Sequence, residues 1–245
     1  MQAKNTFSVT KMMQKIAPNL VLGVLALSVG VLCLSPNEKE ILTEGLQAQV
    51  YRSAGENATG VSLMFNVYSN TEEVYQILQI LQAYDAKATF FVGGCWADDN
   101  TTCLREIFAK GHEIGNHGYF HKDHDKLSVV ENQKEIYNCN RFIELTIGVA
   151  PSLFAPPSGA YGSATLSACE VLNMKTILWS KDTIDWRDQD EGKIYTRATK
   201  NVKNGDFILM HPTPKTVAAL DDVLEYYKGL NLKPITVSEN LQEIG

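Results

Sequence analysis

The sequence predicts an α/β fold built on parallel strands, arranged either as a sheet or as a barrel. Apolar stretches rich in β-branched and aromatic residues alternate with stretches in which apolar residues recur at helical spacing. The composition, 44% hydrophobic and 20% charged, is that of an ordinary globular protein. In parallel α/β folds, ligand sites gather at the carboxyl ends of the strands, so the residues that follow each strand are the candidates for function.

The predicted elements begin at residue 61. VSLMFNV is the first strand, TEEVYQILQILQAYDA is a helix with apolar residues at helical spacing, and KATFFVGG is the second strand. Later strands are predicted at MKTILW, DFILMH and KPITV. Helices are predicted over Val129–Leu145, Ala164–Leu172 and Thr216–Tyr227.

Residues 1–35 are predicted to form a cytoplasmic tail and an uncleaved signal anchor. The apolar run LVLGVLALSVGVLCL follows Lys4, Lys11 and Lys15, and no acidic residue precedes it. Its length suits the apolar region of a signal sequence, and the residues after it form no clear cleavage site. Because basic residues favour the cytoplasmic side, we expect the rest of the chain outside the cytoplasm, membrane-anchored or secreted.

Residues 36–60 are polar and lack a sustained period, so we expect a linker there and one domain over residues 61–245. The whole chain carries 22 basic and 28 acidic residues, and three of the basic ones precede the anchor. An acidic domain repels phosphates, which excludes nucleic acid from the expected partners.

Four cysteines follow the anchor. An even number in an exported domain is compatible with two disulfide bridges, and free buried thiols are the alternative. The sequence does not select between these states. The four residues are Cys95, Cys103, Cys139 and Cys169.

The stretch NHGYFHKDH, residues 116–124, contains three of the five histidines. His117 and His121 are four residues apart, so on one helical turn both rings would project the same way, which suits two nitrogen ligands on one metal ion. Such pairs also arise by chance. His112, upstream in AKGHEIG, is expected to be a structural histidine.

The order of five motifs resembles the polysaccharide deacetylase family, carbohydrate esterase family four. That family has a strand ending in TFDDG, then His-(Ser/Thr)-x-x-His, RPPYG, a Trp-rich strand ending in Asp, and LxH. The matching segments are MFNVY, HGYFH, FAPPSG, ILWSKDTIDW and ILMH, and the resemblance covers about Val61 to Asn240. It implies a deformed (β/α) barrel, N-deacetylation of a glycan, and a divalent metal such as zinc on His117 and His121.

Three of the matched positions that carry the family's chemistry depart from its pattern. The family's two aspartates, its general base and its third metal ligand, are Asn66 and Val67, and its arginine is Ala155. An amide is too weakly basic to take the proton, and valine offers no ligand atom. A buried arginine without its carboxylate partner would be costly. Loss of the arginine at position 155 is therefore expected once the aspartate at position 66 is replaced by asparagine.

Part of the family's catalytic machinery is retained. His211 matches the general acid, and Asp182 matches the carboxylate that orients this histidine. A histidine paired in this way can titrate near neutrality. Asp185, close to the end of the same strand, is a weaker candidate for a replacement base.

A catalytic zinc ion takes three protein ligands and keeps one open position, but the matched positions supply only two. The candidates for a third ligand are His124, Asp98, Asp99 and Asp123, and the alternative for each is a solvated polar loop.

Several residues in or beside the motifs are candidates for contact with a sugar. Core packing is the alternative for the aromatic ones. They are Ser158, which stands at the family's tyrosine, with Tyr161, Trp186, Tyr119 and Phe120.

Two functions follow from these residues. The first is an exported metal-dependent hydrolase that deacetylates a cell-wall or chitin-like glycan, slowly, because loss of a general base costs about 10²–10⁴-fold. The second is a membrane-tethered, non-catalytic glycan-binding or scaffold domain. The retained histidines place the hydrolase ahead, and the three departures favour the binding domain. A different metal-dependent hydrolysis is a third possibility, for which the sequence names no substrate.

Overall fold

A computed structural model describes residues 49–55 and 57–241. The predicted tail, the signal anchor and most of the predicted linker lie outside the described residues. In the described part of the chain, none of the helices has both the length and the apolar character needed to cross a bilayer.

One sheet contains nine short strands, and every strand pairing in it is parallel. The strand order is β1-β6-β5-β4-β3-β2-β8-β7, and β9 pairs with the start of β2. The strands are β1 (Val50–Tyr51), β2 (Gly60–Val67), β3 (Thr89–Val92), β4 (Glu113–Asn116), β5 (Leu153–Phe154), β6 (Lys175–Ile177), β7 (Lys181–Asp182), β8 (Phe207–Met210) and β9 (Lys233–Pro234).

Helices connect most of the strands. Short 3₁₀ turns lie at His124–Lys126 and Pro157–Gly159. The helices are α1 (Thr71–Ala83), α2 (Gly94–Asp99), α3 (Thr101–Ala109), α4 (Val129–Ile147), α5 (Ser163–Val171), α6 (Asp185–Asp188), α7 (Glu191–Thr199), α8 (Pro214–Gly229) and α9 (Val237–Leu241).

The sheet curls around an apolar interior. Met64 on β2, Leu153 on β5 and Ile177 on β6 belong to one buried cluster, although β2 does not pair with β5 or β6. A bridge between Ser53 and Asp206 brings the chain after β1 to the start of β8. A curled parallel sheet with helices between its strands is the deformed (β/α) barrel that the sequence predicted.

The largest core lies between the outer face of the sheet and the helices. Helix α1 buries Val74, Ile77, Leu78 and Leu81, the spacing that puts apolar residues on one face of a helix. They pack in one cluster with Phe65 of β2. Full burial of each side chain contributes about 1.5–3 kcal/mol, so this face fixes β2 and the residues at its end.

Two predicted boundaries were wrong. Val50–Tyr51, expected in the linker, form β1 and pair with β6 through Thr176 and Ile177. A two-residue strand is too short to show the alternation of apolar and polar residues that indicates a strand, and its partner β6 is distant in sequence. KPITV is a strand only at Lys233–Pro234, because Val237 begins α9.

The four described cysteines are free, so the two-bridge alternative is not what the structure contains. Cys95 is exposed, and the other three are buried. Burial raises the pKa of the Cys103 thiol to about 11 and that of Cys139 to about 12. Thiols held in this way act as small apolar side chains.

Candidate functional site

A cavity of about 250 Å³ opens at the carboxyl ends of the strands, where a ligand site is expected in this architecture. Its walls come from β2, β7 and β8 and from the segments that follow β2, β4, β5, β6, β7 and β8. The lining residues are Asn66, Tyr68, His117, His121, Ser158, Trp179, Asp182, Trp186, Leu209 and His211.

His117 follows β4 directly and is 1% exposed. Its Nδ1 lies 2.7 Å from the carbonyl oxygen of Ala155. A carbonyl oxygen only accepts hydrogen bonds, so Nδ1 carries the hydrogen and Nε2 keeps a lone pair. Burial holds the pKa of His117 well below its usual value, so the ring is neutral near pH 7.

His121 reaches the same cavity through a turn, and the expected helical turn is wrong. Positive φ angles at Gly118 (74°) and at His121 itself (53°) reverse the chain after β4. The backbone N–H of Gly118 donates to Asn116 Oδ1 at 2.7 Å and secures this turn. The centroids of the His117 and His121 rings lie 5.0 Å apart, so the two rings meet as the motif predicted.

Helix α4 holds the loop that carries His121. The buried carboxylate of Glu135 accepts a hydrogen bond from the backbone N–H of Phe120 at 2.8 Å and pairs with Lys122 at 2.9 Å. Asn132 Oδ1 lies 2.6 Å from Nδ1 of His124. These contacts fix both ends of the loop on one helix.

None of the third-ligand candidates joins the two histidines. His124 is fully buried, with Nε2 turned toward Gly118 and without a partner among the described residues. Asp98 and Asp99 are exposed at the end of α2, and neither lines the cavity. Asp123 pairs with Lys126. Across residues 49–55 and 57–241, no three His, Cys, Asp or Glu side chains are grouped to hold a metal ion.

An aromatic ring packs against one of the two histidines. Val67 is fully buried at the end of β2, and the next residue, Tyr68, places its ring 4.1 Å from the ring of His121. The same ring is 6.4 Å from that of His117 and 6.5 Å from that of His211. Zinc takes Cys, His, Asp or Glu ligands, and a catalytic site needs three of them. The donor set therefore does not fit a catalytic zinc ion.

His211 has a carboxylate partner, but it is not the predicted one. Nδ1 of His211 lies 2.7 Å from Oδ1 of Asp185, whose side chain is fully buried. Asp182 instead accepts a hydrogen bond from the backbone N–H of Ile184 at 2.8 Å and lines the cavity. The chain turns at Ile184, where φ is 54°, and this turn brings Asp185 to the histidine.

Asn66 is 3% exposed, lines the cavity, and leaves its Oδ1 without a hydrogen-bond partner in the described part of the chain. An unsatisfied buried oxygen of this kind costs about 1–3 kcal/mol. Ala155, at the family's arginine position, is fully buried and has no side-chain donor. Asn66 at the end of β2 therefore offers no general base, and Ala155 after β5 offers no charged partner for one.

The predicted sugar contacts divide into two groups. Ser158 and Trp186 line the cavity, whereas Tyr161 lies outside its lining and accepts a hydrogen bond from Arg52 at 3.4 Å. Tyr119 packs against the core, and Phe120 is exposed outside the lining.

The sequence prediction missed Tyr68 and Trp179 as cavity residues. Trp179 packs so closely over Gly159 that a Cβ there would lie 2.9 Å from its ring. The sequence could have indicated Tyr68, because this residue stands at the glycine of the family's first motif.

The model of the family described as polysaccharide deacetylase matches residues 54–177. The chain belongs to the polysaccharide deacetylase family. This family member is 33% identical over 173 residues to a peptidoglycan-N-acetylglucosamine deacetylase of Bacillus cereus, covering 68% of the chain and 81% of the relative. It is 36% identical to the uncharacterized protein YlxY of Bacillus subtilis, across 82% of the chain and only 63% of that longer protein.

Solved structures agree with this assignment. A carbohydrate esterase family 4 pseudoenzyme from Bacillus anthracis superposes on this deacetylase-family domain with a TM-score of 0.78 and 33% identity, covering 81% of the chain and 70% of that structure. A mutant of that pseudoenzyme with restored enzymatic activity superposes with a TM-score of 0.77 and 31% identity, over 81% and 73%. With Asn66, Val67 and Ala155 at the motif positions, the chain is a divergent family member.

Proposed function

We propose that this chain binds a cell-wall glycan of the peptidoglycan class in its cavity and hydrolyses it slowly or not at all. One observation carries the proposal, the sequence Asn66-Val67-Tyr68 at the end of β2. These three residues supply no general base and no metal ligand, and the third places an aromatic ring against His121.

The chemistry of amide hydrolysis explains why this observation weighs most. Attack on an acetamide needs a base to take a proton from water and a positive group to receive charge on the carbonyl oxygen. Asn66 cannot act as the base, and Val67 and Ala155 are apolar and fully buried. His211 remains able to move a proton, but removal of a general base alone lowers a rate by about 10²–10⁴-fold.

Glycan binding is supported by the cavity that remains. Tyr68, Trp179 and Trp186 give its lining three aromatic side chains, and such rings offer apolar faces beside polar edges. The named Bacillus cereus relative acts on peptidoglycan. A binding domain for that polymer must face the wall, so export and anchoring through residues 20–34 are part of the same proposal.

Slow deacetylation is the second candidate. It requires a divalent metal such as zinc on His117 and His121 with a third ligand that the described residues do not supply. One observation favours it. His211 has a buried carboxylate partner in Asp185, and Thr216 Oγ1 donates to the same carboxylate at 2.6 Å. A histidine oriented by a carboxylate at the cavity wall is the arrangement that proton transfer requires.

One experiment on the full-length chain distinguishes glycan binding alone from slow deacetylation. Peptidoglycan and N-acetylglucosamine oligomers are incubated with the protein in the presence of zinc, cobalt or a chelator. Acetate release is measured beside sedimentation of the protein with insoluble peptidoglycan. We expect co-sedimentation, and no acetate release above that of the His117→Ala variant.

Metal-dependent release that His117→Ala abolishes would establish the hydrolase and reject the binding-only function. Absence of both release and co-sedimentation would reject this class of glycan for either function. Asp222→Asn, on the exposed face of α8, serves as a variant with an unaltered cavity.

A further inference from the structure

The cavity contains a single carboxylate and no lysine or arginine among its lining residues. This carboxylate is Asp182, at the end of β7. Its Oδ1 accepts the Ile184 N–H at 2.8 Å, which fixes the side chain at the cavity wall. In the described part of the chain, Asp182 has no basic side chain within salt-bridge distance.

The cations around Asp182 are each paired with another acid. Arg187 donates to Asp188 at 2.8 Å, and Arg197 donates to the same carboxylate. Nζ of Lys181 lies 3.7 Å from Oδ2 of Asp206. The ring of His211 is paired with the buried Asp185, as described above. Asp182 is therefore the carboxylate that remains for a ligand.

The other walls of the cavity also favour a positive group. The faces of aromatic rings attract cations, and the lining holds the rings of Tyr68 and Trp179. The ring of Trp186 also lines the cavity and already has the Arg187 guanidinium 6.0 Å from its centroid. Nε2 of His117 keeps a lone pair, because its Nδ1–H donates to the carbonyl oxygen of Ala155.

We propose that the cavity selects amino sugars that carry a free ammonium group over their N-acetylated forms. The inference rests on the proposed glycan-binding function and names its ligand. An ammonium group would pair with Asp182 and lie against the aromatic rings. A neutral acetamide can donate its N–H to the carboxylate, but it carries no charge to pair with Asp182 or to lie against the aromatic rings. The chain would then recognise glycan from which an amide hydrolase has already removed acetyl groups.

Calorimetry on the full-length chain tests this selection. A glucosamine tetramer and an N-acetylglucosamine tetramer are titrated separately in one buffer at about pH 6, where primary amines are protonated. We expect the glucosamine tetramer to bind about tenfold more tightly, the size of effect that one ion pair with cation–π contacts supports.

A matched pair of variants excludes general attraction of a cationic oligomer to an acidic protein. Asp182→Asn keeps the acceptor for the Ile184 N–H and removes the charge, so we expect the tenfold preference to disappear. Asp222→Asn removes the same charge from the exposed face of α8, and we expect the preference to remain.

Three results would overturn the inference. Equal or tighter binding of the acetylated tetramer would reject it and leave the glycan-binding function standing. A preference that survives in Asp182→Asn would assign the attraction to net charge. If neither tetramer binds, and the protein also fails to sediment with peptidoglycan, the proposed function fails together with the inference.

Discussion

Asp185 contacts His211 twice, with Oδ1 2.7 Å from the ring Nδ1 and Oδ2 2.6 Å from the backbone nitrogen. Thr216 Oγ1 donates a third hydrogen bond to this fully buried carboxylate. The pair therefore joins α6 to the segment between β8 and α8, in addition to orienting the histidine. Removing one partner would leave buried polar groups without hydrogen bonds.

Substitution of Asp185 should destabilise the protein, whereas the same substitution at Asp182 should not. We expect Asp185→Asn to lower the free energy of unfolding by about 2–4 kcal/mol, because the amide cannot satisfy all four donors, the fourth being the Trp186 backbone N–H. Asp182→Asn should change it by less than about 0.5 kcal/mol, since the half-buried side chain keeps its one acceptor. Urea unfolding measures both, and equal effects would contradict the assignment of the His211 partner.

A third ligand should create a zinc site where the natural residues do not fit one. In the double variant Val67→Asp, Tyr68→Gly, zinc at about 100 times its dissociation constant should raise the free energy of unfolding by about 2.7 kcal/mol. The midpoint of thermal unfolding should rise by about 5–10 °C. The unsubstituted chain should show a much smaller change.

The zinc effect should depend on the first histidine. Adding His117→Ala to the double variant removes one of the three intended ligands, and we expect the thermal shift to disappear. A shift of equal size in the unsubstituted chain would mean that its own residues already hold zinc tightly.

Replacement of four residues that depart from the family's motifs should restore hydrolysis. A variant with Asn66→Asp, Val67→Asp, Tyr68→Gly and Ala155→Arg should release acetate from peptidoglycan in the presence of zinc at least about 10²-fold faster than the natural chain. His211→Ala in this background should slow release again, because His211 stands at the position of the family's general acid. Circular dichroism must first show that the variant is folded. Absence of release from a folded variant would contradict the assignment of these four positions.

Stability should fall in mild acid because buried histidines must take up protons on unfolding. Burial, with Lys87 and Lys110 nearby, lowers the pKa of His112 from 6.5 to about 4. Between these values the unfolded chain binds more protons, so this stabilisation is complete above pH 6.5 and is lost as pH falls toward 4. The shift corresponds to about 3 kcal/mol.

The His112→Asn variant tests this source of acid sensitivity. Asparagine keeps an acceptor for the N–H of Ala88 but cannot be protonated. Urea unfolding from about pH 7 to pH 4 should therefore give a shallower decline than in the natural chain. A decline of unchanged slope would assign the acid sensitivity to other groups, among them the buried His117 and His124.

Several parts of the fold and site could be predicted because their signals are local. Strand β2 is a continuous apolar run, and α1 repeats its buried residues at helical spacing. The motif order correctly placed His117, His121 and His211 in one cavity, since residues after parallel strands share one edge of a sheet. The degenerate positions at the end of β2 were also readable, because a carboxylate cannot be replaced by an amide or an alkyl group without loss of its chemistry.

Tertiary structure decided which groups within that cavity make contact. Asp182 and Asp185 are three residues apart, and the backbone turn at Ile184 selects the one that reaches His211. His124 is close to His121 in sequence, yet Asn132 on α4 draws it into the core. Backbone angles and partners distant in sequence set these contacts, and neither leaves a periodic pattern in the chain. The order of motifs was sufficient for the family, the barrel and the replaced residues at the end of β2, and the packed structure determined how the remaining side chains are paired.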